Sequence, residues 1–396
     1  MNRTGSYRAL IFLAIQIVLL AGLAAVGRGK SRETAARWSL PPVSNAPLEI
    51  PPLYNDPRVV DDAQLAAVLA KLPPRLRGPE PRIYNLDHAL RFWGPEARFR
   101  DPQALSGGEI ADLLLDHAAF AKAWGPKTKP LLMPGVEGLE VRVKDGFASS
   151  SHVDHVLSTV AEAGLSLDYP VATPRGRATV ADMLKHSLRH FSLNQYEPEF
   201  SALVYALHLR SNRPWVSAEG QQITFDRIAE RLMRDPLTDG VCYGTHRLYD
   251  LTVLLRADEK RHLLSPECRT RIVGYLQNAT ARLVASQRRA GYWDKTWDNS
   301  TTSAPADEAA TTADSLSPQL VITGHVLEWW ALSPQEIAPP CDTVIRAGQW
   351  LVRTVGDMEP KQVEEGYAYL SHVGRALALW RGNYPAWFLK HLPAQN

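Results

Sequence analysis

The carboxyl-terminal 250 or so residues repeat themselves about every 46 positions, and that period limits what the chain can fold into. The segment His325–Leu332 (HVLEWWAL) aligns with His372–Leu379 (HVGRALAL), sharing His, Val, Ala and Leu. His155-Val156-Leu157 repeats the opening, and Gly244-Thr245-His246 begins a fourth copy. Phe200 takes the histidine position in a fifth copy, Phe200–Leu207. The anchors 155, 200, 246, 325 and 372 are spaced by 45, 46, 79 and 47 residues. The long interval holds the Ser/Thr/Asp/Ala-rich stretch 294–318, which reads as an inserted loop.

Between the anchors lie further helix starts. Thr179 with Asp182, Thr224, Ser265 ahead of Pro266, and Asp342 are all in capping positions. Each unit is therefore an outer helix, a loop and an inner helix. One such hairpin cannot bury its own apolar face, so copies must stack. An open solenoid and a closed α/α toroid both fit the period. The inner segments Leu203–Leu207, Leu248–Leu255 and Val326–Leu332 are apolar nearly all round, which favours closure. The expected fold is all-α: an α/α toroid of about five to six helical hairpins over residues 151–396.

Residues 1–30 contain an uncharged run, Ala9–Val26, long enough at about 27 Å to cross a bilayer. It reads as a transmembrane anchor or a signal peptide, with the body expected outside the cytoplasm although the flanking charges do not settle orientation. Residues 31–58 form a proline-rich linker; six prolines between 38 and 58 suggest an extended spacer holding the body off a membrane. Residues 59–150 read as an amino-terminal helical segment. Ser106 to Glu109 is a capping box within it, and one small β-hairpin is expected at 130–150. Lys and Arg number 44 against 42 Asp and Glu, a net charge of +2, so no basic excess points to nucleic acid.

Gln287-x-x-x-Gly291-x-Trp293, followed by an inner helix and by Ala347-Gly348-Gln349-Trp350-Leu351, resembles the repeat of terpenoid cyclase and protein prenyltransferase toroids. That resemblance covers roughly residues 150–390 and implies the fold. It does not carry cyclase chemistry, because the chain has no D-x-D-D acid motif. Gly324-His325-x-x-Glu328 and His372-x-Gly374-Arg375 are similar to G-H-x-x-E and H-x-G-R of N-acylglucosamine 2-epimerase-like toroids. In that family two histidines transfer protons on an opened sugar.

In a toroid whose inner helices run parallel, equivalent positions form a ring at one mouth. His246, His325 and His372 are thus the candidate catalytic bases, expected neutral at helix starts, with Glu328 sharing the face of His325. Candidate cavity-lining groups are His155, Glu197, Glu199, Tyr249, Arg375 and Trp293. Cys242, four residues before His246, lacks a second strong ligand pair, so neither a metal nor a cofactor is expected. Three functions fit. The first is an acid/base enzyme acting on a small, anionic, sugar-like ligand. The others are a non-catalytic scaffold or ligand-binding toroid at the membrane surface, and an isoprenoid-handling toroid.

Overall fold

A computed structural model describes residues 39–78, 80–298 and 313–391, with residues 16 and 17. The apolar run Ala9–Val26 therefore lies outside the described residues except for Gln16 and Ile17. Among the described residues no helix is long and apolar enough to cross a membrane.

The protein is mostly helical. Its helices are α1 (Asp62–Lys71), α2 (Ile83–Trp93), α3 (Gly107–Leu115), α4 (His117–Trp124), α5 (His155–Glu162), α6 (Val180–His190), α7 (Glu199–His208), α8 (Phe225–Arg234), α9 (Thr245–Arg261), α10 (Pro266–Ser286), α11 (Ala313–Leu332), α12 (Cys341–Gly356), α13 (Pro360–Glu365), α14 (Tyr367–Trp380) and α15 (Pro385–His391). The starts read from sequence hold except at Asp342, which does not cap: α12 begins at Cys341 behind Pro340, so Asp342 lies inside the first turn. Ser106 and Glu109 form a capping box on α3, Thr179 and Asp182 another on α6, and Ser265 caps α10 with Pro266 at its first position.

Six helices pack in a closed cycle: α2 on α5, α5 on α7, α7 on α9, α9 on α11, α11 on α14, and α14 back on α2. The repeat supplied five of these. The sixth, α2, lies in the segment 59–150. α7, α9 and α14 are buried over most of their lengths, because each inner helix has neighbours on both sides and an outer layer behind it. The closest pair is α11 with α14, and Gly324 makes it possible. A β-carbon there would sit 3.2 Å from Val373 N and 3.3 Å from Val373 Cγ2.

Gln287, Gly291 and Trp293 act as a structural corner. Gln287 Nε2 donates to Gly291 O (3.0 Å) and to Thr343 O (2.8 Å), tying the end of α10 to the start of α12. Gly291 adopts φ +113°, and a β-carbon on it would lie 2.4 Å from Arg346 O. Trp293 is fully buried, packs edge-on against Trp330 and donates from Nε1 to Leu283 O at 2.7 Å.

Three expectations need correction. Strand is not confined to 130–150. The expected hairpin is present as β1 (Leu132–Gly135) with β2 (Gly138–Val141), but β3 (Pro170–Thr173) pairs with β4 (Gly176–Thr179), and β5 (Trp215–Val216) with β6 (Gln222–Ile223). The two extra hairpins turn at Gly176 (φ +132°) and Gly220 (φ +78°), short turns between helices that no alternating pattern marks. Within the stretch read as a loop at 294–318, residues 313–318 already belong to α11, with Pro318 inside the helix.

Nor are residues 39–58 a free spacer. They form a strap laid across the carboxyl-terminal ends of inner helices. Ser44 N donates to His208 O and Leu48 N to Leu207 O at the end of α7, both at 2.8 Å. Leu53 N donates to Ala331 O (3.0 Å) on α11, and Asp56 N to Trp380 O (2.9 Å) on α14. The last carbonyls of a helix have no partner within it, and the extended strap presents its N–H groups to them. Ile50 is buried, and Tyr54 stacks on Trp380 at 5.0 Å.

His208 links this strap to α7 and makes its stability depend on pH. Its Nδ1 lies 3.0 Å from Ser44 O, while Nε2 is buried without a partner, so the ring is held neutral. Burial pushes its pKa down to about 4, aided by Arg261 and opposed by the bond to Ser44. In the unfolded chain the value is about 6.5. Its contribution is therefore fully present above pH ~6.5 and lost as pH falls toward 4, by roughly 2–3 kcal/mol. Urea unfolding of the protein and of His208→Gln at pH 7 and 4.5 should show the variant gaining that much relative to the wild type. Parallel pH profiles would refute the assignment.

Candidate functional site

Each inner helix contributes one ring at the level of the repeat anchors, and the six rings close into a belt. The centroid distances are His88–His155 5.1 Å, His155–Phe200 4.4 Å, Phe200–His246 5.0 Å, His246–His325 4.5 Å, His325–His372 3.8 Å and His372–His88 5.1 Å. All five histidines are buried. The three histidines singled out as bases thus converge, together with His155. Only His155 and His246 sit at helix starts. His325 and His372 lie well inside α11 and α14, so a helix amino terminus does not keep them neutral. Burial does. It holds His155, His246, His325 and His372 below the ordinary imidazole range, His246 and His372 well below it, and neighbouring rings add to this for His246 and His372.

Behind the belt, toward the strap, lies an ion-pair network built on Glu328, which is fully buried. Its Oε2 meets His325 Nδ1 at 2.9 Å and His372 Nδ1 at 2.8 Å. Its Oε1 accepts from Arg375 Nη1 at 2.9 Å and Arg91 Nη1 at 3.2 Å. Burial opposes ionisation of Glu328, yet Arg91 and the two histidines hold its pKa well below the usual carboxylate range. The second carboxylate is Glu162 at the end of α5. It accepts from Arg91 Nε (2.6 Å), Arg375 Nη2 (3.0 Å) and the Tyr249 hydroxyl. Here too burial is outweighed, by Arg91 and Arg375, and the carboxyl stays low. Burial pushes Tyr249 well above the usual phenol range, so it remains protonated.

This network floors a cavity of about 370 Å³. Arg91, Glu162, Tyr249 and Arg375 supply the polar groups, Phe92, Leu203, Leu207 and Val253 the walls, and strap residues 46–50 the rim. The volume falls in the range of small-molecule sites, about 300–1,000 Å³, and apolar walls with a few convergent polar groups are their usual lining.

Among the candidate residues, then, Tyr249 and Arg375 line the cavity. Glu328, His325 and His372 lie one layer behind it. His155 and His246 are further along the belt; His155 Nδ1 sits 3.1 Å from Asp87 Oδ2. Glu197 pairs with His152 (2.9 Å) and Lys144 (3.3 Å), away from the cavity. Glu199 is buried 3.8 Å from Arg247, its pKa raised by burial. Trp293 belongs to the corner between α10 and α12. The histidines do not reach the cavity because Glu328, Arg91 and Arg375 stand between the His325 and His372 rings and its floor.

Sequence reasoning passed over Asp87, His88, Arg91 and Glu162. One signal was available: His88-x-x-Arg91 has the spacing of His372-x-x-Arg375, and the two arginines meet the same two carboxylates. Glu162 has no counterpart in the other copies.

Removing one partner of a buried ion pair strands the other charge, at a cost of about 3–5 kcal/mol. Glu328→Gln keeps the shape, leaves Arg91 and Arg375 short of a counter-charge, and should lower the unfolding free energy by about that amount in urea titrations. A loss under ~1 kcal/mol would mean that the network is not the central tie. No family model matches the chain, and no curated protein or solved structure matches it either.

Proposed function

We propose that the closed cycle is an α/α toroid and that its strap-rimmed cavity binds a small ligand with one polar head and an apolar body. The observation that carries this is the lining: convergent Arg91, Arg375, Tyr249 and Glu162 at the floor, apolar side chains above. Two guanidinium groups face two carboxylates, so the floor is close to electrically balanced. A single carboxylate head suits it, held at the guanidinium groups of Arg91 and Arg375 that line the cavity. Many sugar hydroxyls would find few partners on the walls, so the sugar-like ligand gives way here to a monocarboxylate amphiphile. Tyr249, protonated and bonded to ionised Glu162, is placed for general acid/base work on the head. In this reading His325, His372 and Glu328 are positioning residues. They hold Arg91 and Arg375 and do not touch ligand.

Decanoate serves as a probe, with decanol as its uncharged counterpart. Saturable binding of decanoate to the full chain, detected calorimetrically, should be lost in Val253→Trp, which fills the cavity, and in Ala46→Trp, which plugs the rim from an exposed position. Arg375→Met should weaken decanoate more than 10-fold and leave decanol nearly unchanged. Binding that survives both tryptophans would place the ligand elsewhere. Absence of binding would support the second reading, a non-catalytic scaffold, which the tight packing of the belt favours.

The apolar run Ala9–Val26 supports a membrane-anchored body. Residues 27–38 then tether the strap to the bilayer over at most ~40 Å, so the cavity rim stays close to the lipid surface. The full chain should sediment with membranes after alkaline carbonate extraction; recovery of the intact chain in the supernatant would refute the anchor.

A further inference from the structure

We infer that Cys242, His246 and His325 form a binding site for one zinc-type divalent transition metal ion, at the belt end of the molecule and separate from the cavity. One donor atom from each of the three lies within 4.8 Å of the other two. A thiolate and two imidazoles are the donor set that tetrahedral zinc prefers.

The orientation of His325 is that of a metal ligand. Its Nδ1 faces Glu328 Oε2 at 2.9 Å, while Nε2 is buried and has no hydrogen-bond partner. Carboxylate–histidine pairs of this form fix the tautomer and leave Nε2 with a free lone pair directed at the ion. His372 repeats the arrangement, Nδ1 on the same carboxylate oxygen at 2.8 Å and Nε2 buried without a partner. Its ring is 3.8 Å from that of His325 and 5.8 Å from that of His246.

The backbone ahead of α9 is bent to bring the thiol in. Cys242, Tyr243 and Gly244 adopt φ of +50°, +57° and +79°, the left-handed region, which costs non-glycine residues of order 1–3 kcal/mol each. Thr245 Oγ1 donates to Cys242 O (2.7 Å) and Trp297 Nε1 to Tyr243 O (3.1 Å), holding the bend. A strained turn that delivers a cysteine to two histidines has a reason if the three share an ion. Two other groups approach metal-ligand spacing, Asp87 with His88 and His155, and Glu328 with His325 and His372. In these the carboxylates already have close partners: His88 and His155 around Asp87, and two arginines with two histidines around Glu328.

Cobalt(II) titration of the folded full chain tests the site. The expected result is one equivalent bound, with visible absorption of tetrahedral intensity and a near-ultraviolet thiolate-to-cobalt band, both erased by zinc. Cys242→Ser should remove the thiolate band, while Cys341→Ser, at an exposed position, leaves it intact. His246→Ala should weaken zinc, measured by competition with a chromophoric chelator, by more than roughly 100-fold, beyond what loss of an outer partner costs. Far-ultraviolet circular dichroism confirms that each variant is folded. If a variant unfolds, the spectrum of the unsubstituted chain decides alone. No saturable cobalt uptake by that chain, or a spectrum lacking the thiolate band, overturns the site.

Discussion

A carboxylate with no access to water must be surrounded by donors, and Glu328 draws its donors from three helices. His325 shares α11 with it, His372 and Arg375 come from α14, and Arg91 comes from α2. The bond to Arg91 spans the place where the first inner helix meets the last, so closure of the cycle and satisfaction of the buried charge are one requirement. Glu162 extends the tie to α5 and, through the Tyr249 hydroxyl, to α9. Four charges inside a helical core are costly individually. Together they specify which helix end lies beside which, something apolar packing alone does far less sharply.

The interior is organised in layers along the cycle axis. The belt of five histidines and Phe200 fills one end, with the sulfur of Cys242 at its edge. The arginine–carboxylate layer lies in the middle. The cavity is at the other end, between that layer and the strap. The same network serves both sides: Glu328 orients two imidazoles toward the belt and two guanidinium groups toward the cavity. A ligand at the floor and an ion at the belt would therefore act on one set of side chains from opposite directions, through Arg91, Glu328 and His325.

The motifs that suggest known toroids have local physical reasons here. Gly324 allows α11 to approach α14, and Gln287 and Gly291 build the corner between α10 and α12. Glu328 and Arg375, three residues beyond their histidines, answer each other across the helix pair.

The mostly helical body, the 46-residue hairpin and the convergence of His246, His325 and His372 were legible in the sequence. They follow from periodicity and capping, which act over a few turns of chain. The sixth inner helix was not legible from the period, because α2 breaks the spacing, although His88-x-Leu90 repeats the His-x-Leu of α5, α9 and α11 and His88-x-x-Arg91 has the spacing of His372-x-x-Arg375 in α14. The strap was read as a spacer, since prolines exclude helix but do not say whether extended backbone meets solvent or carbonyls. The histidine positions suggest a void at that end, whereas the six rings pack on one another there and the space lies near Tyr249 and Arg375. Which groups line a cavity depends on side chains from all six helices at once, and sequence distance carries no record of that. Local pattern determined the elements; the closing of the cycle decided which polar groups are buried together and which face the cavity.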